Sequence, residues 1–225
     1  GLKARAPEYA DTAPIYAYRP GEWRREMVSN ELKGILHSIE PVEWNGRTQL
    51  LTASFDGLSV LEPAKTGMWK RRPIARGDTR ACPQCGSSEM KLGHLGKRRF
   101  LAGIEPWHGN QVVVYLEEKG NWRRLVLDDT MVNGHALAVA DVDGDRLDEI
   151  VAGSRGKGFR LTVFKAEDSK GDHWTPHVID QTGIAAADCK IADLNGDKRP
   201  DIACSGASTA NIKIYENVSP TMPTR

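Results

Sequence analysis

Short runs of alternating apolar and polar residues fill this chain, and turns rich in Gly, Asp and Asn separate them. Alternation over about four to eight residues predicts half-buried β-strands. No segment carries the helical apolar period over the length that an amphipathic helix needs. The pattern therefore predicts an all-β protein.

The runs recur as a unit of four strands. The last run of a unit begins close to a tryptophan, and these tryptophans lie roughly 50 residues apart. They are Trp23, Trp69, Trp122 and Trp174. A period of about 50 residues with four short strands per unit is typical of a β-propeller. We therefore predict a propeller of four-stranded antiparallel blades.

The repeat gives about four blades in this chain. Its units cover roughly residues 14–30, 35–76, 86–128, 135–180 and 187–217, and the first and last units are partial. We expect residues 1–225 to form a single propeller region of a larger ring, for example a seven-bladed one, or a ring completed by another copy or chain. A self-contained ring of four or five blades leaves one strand redundant or missing. Flexible tails are expected at 1–13 and 218–225.

Composition narrows the choice of partner. Of the 225 residues, 40% are hydrophobic and 27% are charged, which is ordinary for a soluble globular protein. The formal net charge of +1 argues against a protein that binds a nucleic-acid backbone. No apolar stretch approaches the roughly 20 residues of a membrane-spanning helix. We expect neither a nucleic-acid partner nor a membrane span.

Two acidic loops, DVDGDRLDE at 141–149 and DLNGDKRPD at 193–201, occupy the same place in consecutive units. Oxygen-bearing side chains fill positions 1, 3, 5 and 9 of each loop, and the backbone carbonyl at position 7 is a natural further ligand. The residues are Asp141, Asp143, Asp145, Leu147 and Glu149, and then Asp193, Asn195, Asp197, Arg199 and Asp201. Clustered oxygen ligands suit Ca²⁺. The loops therefore predict two calcium sites.

Neither loop fits the EF-hand pattern. An EF-hand needs Gly at position 6, where this chain has Arg146 and Lys198, and Glu at position 12, where it has Ala152 and Cys204. It also needs flanking helices, whereas both loops lead directly into β-type runs. The alternative that stays open is an Asp/Gly turn that merely solvates a hairpin.

Both loops, with the runs IVAGS and IACSG that follow them, resemble the FG-GAP/VCBS repeats of integrin-type β-propellers. The resemblance extends from about His135 to Asn217 and implies blades stabilised by calcium. Calcium loops of this kind favour an extracytoplasmic or secreted location. The matching turns of earlier units, at 44–49 and 94–99, are shorter and lack the carboxylates, so we expect no metal there. The family supports many functions, so the resemblance implies fold more than activity.

The connections at the opposite strand ends hold the candidate ligand-binding residues. Catalytic candidates are His37, Glu105, His108 and His135, and ligand-binding candidates are Trp107, Asn110, Asp188 and Lys190. A tryptophan can stack on a sugar ring, and a histidine beside a carboxylate can transfer protons. The alternative is that the histidines bind neighbouring backbone and that Trp107 packs between blades.

Two functions follow from these residues. The first is a calcium-stabilised scaffold that binds a carbohydrate or protein partner on the face opposite the calcium loops. The second is an enzyme that resembles propeller-based carbohydrate lyases and dehydratases, including aldos-2-ulose dehydratase, and uses the channel-mouth histidines. No diagnostic catalytic motif matches this chain residue by residue in support of the second function.

The four cysteines permit several states. Cys82 and Cys85 resemble half of a zinc knuckle, which normally needs a second pair of ligands. His94 or His108 could complete such a site, and a local disulfide or two free thiols are the alternatives. Cys189 and Cys204 are expected to be buried in adjacent strands, where they could be cross-strand neighbours.

Overall fold

The computed structural model describes residues 11–65 and 67–218. These residues form seventeen β-strands and no helix, as the alternation predicts. The strands are β1 (Ile15–Tyr18), β2 (Arg25–Ser29), β3 (Leu36–Trp44), β4 (Arg47–Ser54), β5 (Gly57–Glu62), β6 (Lys70–Ala75), β7 (Glu89–Leu95), β8 (Arg98–Glu105), β9 (Gln111–Glu118), β10 (Asn121–Asp128), β11 (Gly134–Ala140), β12 (Glu149–Ser154), β13 (Arg160–Ala166), β14 (Trp174–Gln181), β15 (Ala186–Ala192), β16 (Asp201–Gly206) and β17 (Ile212–Tyr215). The predicted tails fall mostly on residues 1–10 and 219–225, which lie outside the described residues.

Each strand pairs with the next strand along the chain, so every sheet is an antiparallel meander. Three sheets have four strands, namely β3–β6, β7–β10 and β11–β14. Within the described residues, the sheet nearest the start of the chain has two strands, β1–β2, and the sheet nearest the end has three, β15–β17. This meander is the blade of a β-propeller, and the predicted fold class is confirmed. The size of any larger ring stays a prediction.

The chain divides into two compact units. Of the described residues, the first unit contains those up to Met90 together with Glu105–Trp107, and the second contains Lys91–Ile104 and those from His108 onwards. In the first unit, Ile15, Val28, Leu32 and Leu61 form a buried apolar cluster against which Trp69 packs. In its sheet β3–β6, the first two strands are joined by the short turn predicted at 44–49.

That short turn joins β3 to β4 with two residues, because Trp44 pairs directly with Arg47. Asn45 and Gly46 both have positive φ, of 53° and 71°. Asn-Gly with two positive φ values is the preferred two-residue hairpin turn. The turn therefore closes tightly through its backbone alone.

The second unit contains two apolar layers on either side of sheet β11–β14. In one layer Phe100 and Val114 meet Leu137 and Phe164, and Trp174 packs edge-to-face on Phe100 with ring centroids 5.3 Å apart. In the other layer, Leu161 and Val151 pack with Cys189, Ile202 and Cys204. Strand β12 lies between the layers and is buried at all six residues.

Gly153 lets the last two sheets approach closely. A Cβ atom there would lie 2.7 Å from the Cβ of Ala186 on β15. An ionic contact at the outer strands adds to this packing, because Asp180 accepts hydrogen bonds of 2.6 Å from both Lys213 and Tyr215. Burial by itself raises the pKa of Asp180, but these hydrogen bonds outweigh it and hold that pKa below its ordinary value.

The hairpins of the second unit define two ends of its sheets. At one end, which we call the loop end, both acidic loops lie together with the β7–β8 turn: Gly96 N donates to Arg146 O at 2.8 Å, and Asn217 Nδ2 donates to Val142 O at 2.7 Å. At the other end, which we call the histidine end, lie residues 108–110, 129–135 and 182–187. There Gly134 N donates to Gly109 O at 2.8 Å.

Candidate calcium loops and histidine end

The first acidic loop is held in shape by its own aspartates. Asp141 accepts the backbone N–H groups of Gly144 and Arg146 at 2.8 and 3.0 Å. Asp145 accepts Leu147 N–H at 2.8 Å. Gly144 and Arg146 have φ of 83° and 72°, so both residues adopt the left-handed backbone conformation. One oxygen from each of Asp141, Asp143 and Asp145 therefore lies within 4.8 Å of the others.

Glu149, at position 9, is the buried member of this loop. Only 3% of the residue is exposed. Its Oε2 accepts Val142 N–H at 2.7 Å, whereas its Oε1 is buried and has no hydrogen-bond partner among the described residues. The pKa of Glu149 is raised to about 7, mainly by burial; the Val142 hydrogen bond opposes this rise, and the negative charges of Asp143 and Asp145 add to it. A cation within the loop would satisfy this oxygen.

Lys165, on β13, places an ammonium group among these carboxylates. Its Nζ contacts Asp143 and lies 3.1 Å from Asp145 Oδ2. Burial lowers the pKa of Lys165, but its hydrogen bonds to the two carboxylates outweigh that effect and the pKa is raised. A positive charge is thus already seated beside two of the predicted ligands.

The second acidic loop repeats the backbone geometry of the first. Asp193 accepts Gly196 N–H at 2.7 Å and Lys198 N–H at 2.9 Å, and Asn195 accepts Asp197 N–H at 3.0 Å. Gly196 and Lys198 have φ of 84° and 69°, close to the values in the first loop. The two loops therefore have one conformation, and the same side-chain positions point inward in both.

Asp201 is the counterpart of Glu149, and it is fully buried. It accepts Leu194 N–H at 3.0 Å and Asn217 N–H at 2.9 Å. Both of its oxygens are thus used to fix the loop, in contrast to those of Glu149. The predicted position-7 residues also differ: Leu147 pairs with Leu95, whereas the Arg199 side chain contacts Asp197 and the carbonyl of Asn217.

The histidine end brings two catalytic candidates together. The ring centroids of His108 and His135 are 5.1 Å apart, and both residues are half-buried. His135 Nδ1 donates to the carbonyl of Ala187 at 2.5 Å, which fixes the orientation of its ring. Asn110 also lies at this end, where its Nδ2 donates to Asp129 O at 2.8 Å. The predicted backbone contact of a histidine is thus present alongside the pairing of the two rings.

The first unit holds three other candidates. His37 Nδ1 lies 2.8 Å from Glu89 Oε1, so this histidine is paired with a carboxylate. Glu105 is fully buried and accepts a 2.7 Å hydrogen bond from Ser87. Trp107 packs edge-to-face on Phe55 with centroids 5.7 Å apart. This contact agrees with the alternative that Trp107 packs between blades.

Asp188 and Lys190 point to solvent from β15. Their side chains are 58% and 70% exposed, and they form a 3.3 Å ion pair. They lie on the opposite face of the strand from Cys189, which is buried in the apolar layer. The role of this pair in ligand binding stays a prediction.

The comparison with known families concerns the segment that contains both loops. Residues 141–204 match the family model of the FG-GAP-like repeat. This segment is similar to an FG-GAP-like repeat. The match begins at the first residue of the first loop and ends within β16, so the resemblance noted above is confirmed for this part of the chain. No curated protein matches the chain.

A propeller with FG-GAP-like repeats is in general a scaffold for binding.

The second hairpin of the FG-GAP-like segment is closed by a disulfide between Cys189 and Cys204. These residues are directly opposed on β15 and β16, with Cα atoms 4.2 Å apart. The expected cross-strand neighbourhood is therefore confirmed.

The zinc site proposed at Cys82 and Cys85 is wrong. These two residues form a disulfide with each other. A sulfur in a disulfide is not a thiolate and does not ligate zinc. Among the described residues all cysteines are disulfide-bonded.

Sequence reasoning missed Lys165 and Asn217, which complete the environment of the FG-GAP-like loops. Asn217 joins them, because its Nδ2 donates to Val142 O and its N–H donates to Asp201. Strand register could have located Lys165, because Phe164 pairs with Ile150 just after the first loop and Lys165 is the next residue.

Nowhere in residues 11–65 and 67–218 is there a helix able to cross a bilayer.

Proposed function

We propose that this protein is a calcium-stabilised FG-GAP-type propeller scaffold that binds a carbohydrate or protein partner at its histidine end. The observation that carries the calcium role is the buried Oε1 of Glu149, which has no hydrogen-bond partner beside three converging carboxylates. A buried carboxylate oxygen is costly unless a hydrogen bond or a cation compensates it. The repeated conformation of the second loop supports the same role there.

The ligands of the first site are Asp141, Asp143, Asp145 and Glu149, with the carbonyl of Leu147. Those of the second are Asp193, Asn195, Asp197 and Asp201, with the carbonyl of Arg199. When bound, Ca²⁺ neutralises clustered negative charge and ties the hairpin turn to both of its strands. The loop end would then be stable enough to keep the histidine end in a fixed shape.

Calcium is expected to raise the melting temperature. At a free concentration about a hundredfold above Kd, one site adds about 2.7 kcal/mol, which is a shift of about 5 to 10 °C for a chain of this size. The measurement is thermal unfolding in chelator and then with CaCl₂ added, with NaCl of equal ionic strength as a control. Combining Asp143→Ala with Asn195→Ala should remove the shift.

Asp172→Ala serves as the matched control variant, because Asp172 is an exposed acid in the β13–β14 turn and belongs to neither loop. It should keep the full calcium response. A melting temperature that chelator and CaCl₂ leave unchanged in the wild type would contradict the calcium role.

The histidine end is the proposed ligand-binding surface. His108 and His135 are partly accessible, have adjoining rings, and lie at the sheet ends opposite the acidic loops. A pair of imidazoles can donate and accept hydrogen bonds to sugar hydroxyls or to a peptide backbone. The same pair favours a second candidate function, a sugar lyase or dehydratase, because an imidazole titrates near neutral pH and can transfer a proton.

Replacing His108 and His135 together by alanine is expected to weaken binding to neutral and uronic-acid oligosaccharides on a glycan array by about tenfold or more. His173→Ala is the matched control, since His173 is exposed in the β13–β14 turn. The same proteins are incubated with the bound sugars to detect unsaturated elimination products. Turnover that is lost in the double variant establishes the enzyme, and binding without turnover establishes the scaffold. Binding that is equal in all three proteins contradicts both.

We also propose that another copy or chain completes the last sheet. Within the described residues β17 pairs only with β16, and Ile212 and Ile214 on its open face are 77% and 58% exposed. Their counterparts one sheet earlier, Leu161 and Val163, pack in an apolar layer. The open face of β17 therefore offers the side chains that a blade presents to its neighbour.

The two disulfides support an oxidising compartment for this protein. Disulfides persist in secreted and other extracytoplasmic proteins, whereas cytosolic thiols are kept reduced. This agrees with the location that the calcium loops favour.

A further inference from the structure

The two acidic loops share a conformation, but their electrostatic surroundings differ. The first loop has carboxylates at positions 1, 3, 5 and 9, whereas the second has the neutral Asn195 at position 3. In the first loop Glu149 keeps an oxygen with no hydrogen-bond partner, whereas in the second both oxygens of Asp201 accept backbone N–H groups. The first loop therefore has one more acidic side chain at its predicted ligand positions than the second, and one carboxylate oxygen with no hydrogen-bond partner among the described residues.

Opposite charges stand at equivalent positions near the end of the second strand after each loop, which is β13 in the first case and β17 in the second. Ile150 pairs with Phe164, and Ile202 one repeat later pairs with Tyr215. The next residue is Lys165 in the first case and Glu216 in the second. The repeat thus places a cation against the first loop and an exposed carboxylate at the corresponding position of the second.

Lys165 binds two of the predicted calcium ligands of the first loop. Its Nζ contacts Asp143 and reaches Asp145 Oδ2 at 3.1 Å. The only comparable contact in the second loop, within the residues described, is Arg199 with Asp197, which engages one carboxylate. The Lys165 side chain is 38% exposed, so it can move to solvent without disturbing the apolar layers.

We infer that Lys165 is a built-in cation that holds the first loop folded without calcium and competes with calcium for Asp143 and Asp145. Both cations need the same oxygen lone pairs, so calcium must displace the ammonium group before it can bind. Ammonium–carboxylate hydrogen bonds are among the stronger ones, so their loss lowers the net affinity. In the second loop the corresponding cation, Arg199, engages only one predicted ligand, so this loop binds calcium more tightly than the first. This inference rests on the calcium role proposed above.

The test is calorimetric titration of metal-free protein with CaCl₂. Asp193→Ala with Asn195→Ala first removes the second site, so that only the first loop is measured. In that background Lys165→Gln is expected to tighten calcium binding about tenfold or more, which corresponds to about 1.4 kcal/mol. Lys157→Gln, which removes an exposed lysine from the neighbouring β12–β13 turn, should leave the affinity unchanged.

A second readout separates competition from a merely structural role. In chelator, Lys165→Gln should lower the melting temperature, because four acidic side chains lose their one cation; with saturating CaCl₂ the variant should recover fully. The reverse substitution in the otherwise wild-type chain, Glu216→Lys, should weaken the second site by a similar factor. This arm does not depend on the folding of the Lys165 variant.

The outcomes distinguish this inference from the proposed calcium role. If the wild type binds calcium and neither Lys165→Gln nor Glu216→Lys changes an affinity, Lys165 is not a competitor and the calcium role stands. If no variant binds calcium and none is stabilised by it, both fall. Tightening by Lys165→Gln together with weakening by Glu216→Lys supports the inference.

Discussion

Replacing Cys189 and Cys204 together by alanine is expected to lower the free energy of unfolding by about 3 kcal/mol. The bridge joins residues 15 apart in sequence, and in the chain-entropy account it restricts the unfolded state by about this amount. Both residues are 1% exposed and lie in the apolar layer between the last two sheets, so the loss of two sulfurs adds a small cavity term. Urea unfolding without reductant gives the measurement.

The other disulfide supplies the matched control. Cys82 and Cys85 are only three residues apart, and Cys82 is exposed. Replacing this pair by alanine should cost about 1 kcal/mol less, because the loop that it closes is shorter. Equal losses from the two double variants would mean that loop closure does not set the contribution of the buried bridge.

The second large effect is expected for Asp201→Ala, measured in chelator so that calcium plays no part. The substitution leaves the backbone N–H groups of Leu194 and Asn217 without their acceptor. A hydrogen bond to a charged group contributes about 1.5–3 kcal/mol, so the loss of these two part-buried bonds should lower the free energy of unfolding by about 3 kcal/mol. Urea unfolding followed by tryptophan fluorescence measures it.

Asp188→Ala is the control for that experiment, since Asp188 is exposed on the neighbouring strand and forms only a solvent-facing ion pair. It should change the stability by less than about 0.5 kcal/mol. If Asp201→Ala costs no more than Asp188→Ala, then Asp201 does not organise the second loop.

The strands and the sheet order could be predicted from the sequence because alternation and turn residues are local signals. The match between the loops at 141–149 and 193–201 was also visible, since the repeat places them in one register. The tight turn at Asn45-Gly46 follows from those two residues alone. These features need no knowledge of which side chains meet across the molecule.

The side-chain contacts could not be predicted in the same way. Spacing alone does not distinguish a disulfide from a zinc site or two thiols at Cys82 and Cys85. Asn217 reaches Val142 across 75 residues, a contact that depends on how neighbouring sheets meet. The edge-to-face contact between Trp107 and Phe55 is likewise visible only from packing, and a role of Trp107 in ligand binding stays a prediction.

The open face of β17 has a consequence for how this chain behaves in solution. Ile212 and Ile214 stand on a strand whose outer edge pairs with no other strand among residues 11–65 and 67–218, in a molecule whose formal net charge is only +1. An edge of this kind pairs with any strand that reaches it, and weak electrostatic repulsion between copies does little to prevent the encounter. Self-association at high concentration should therefore begin at β17. The single substitution Ile212→Lys should suppress it, because it places a charge on this strand.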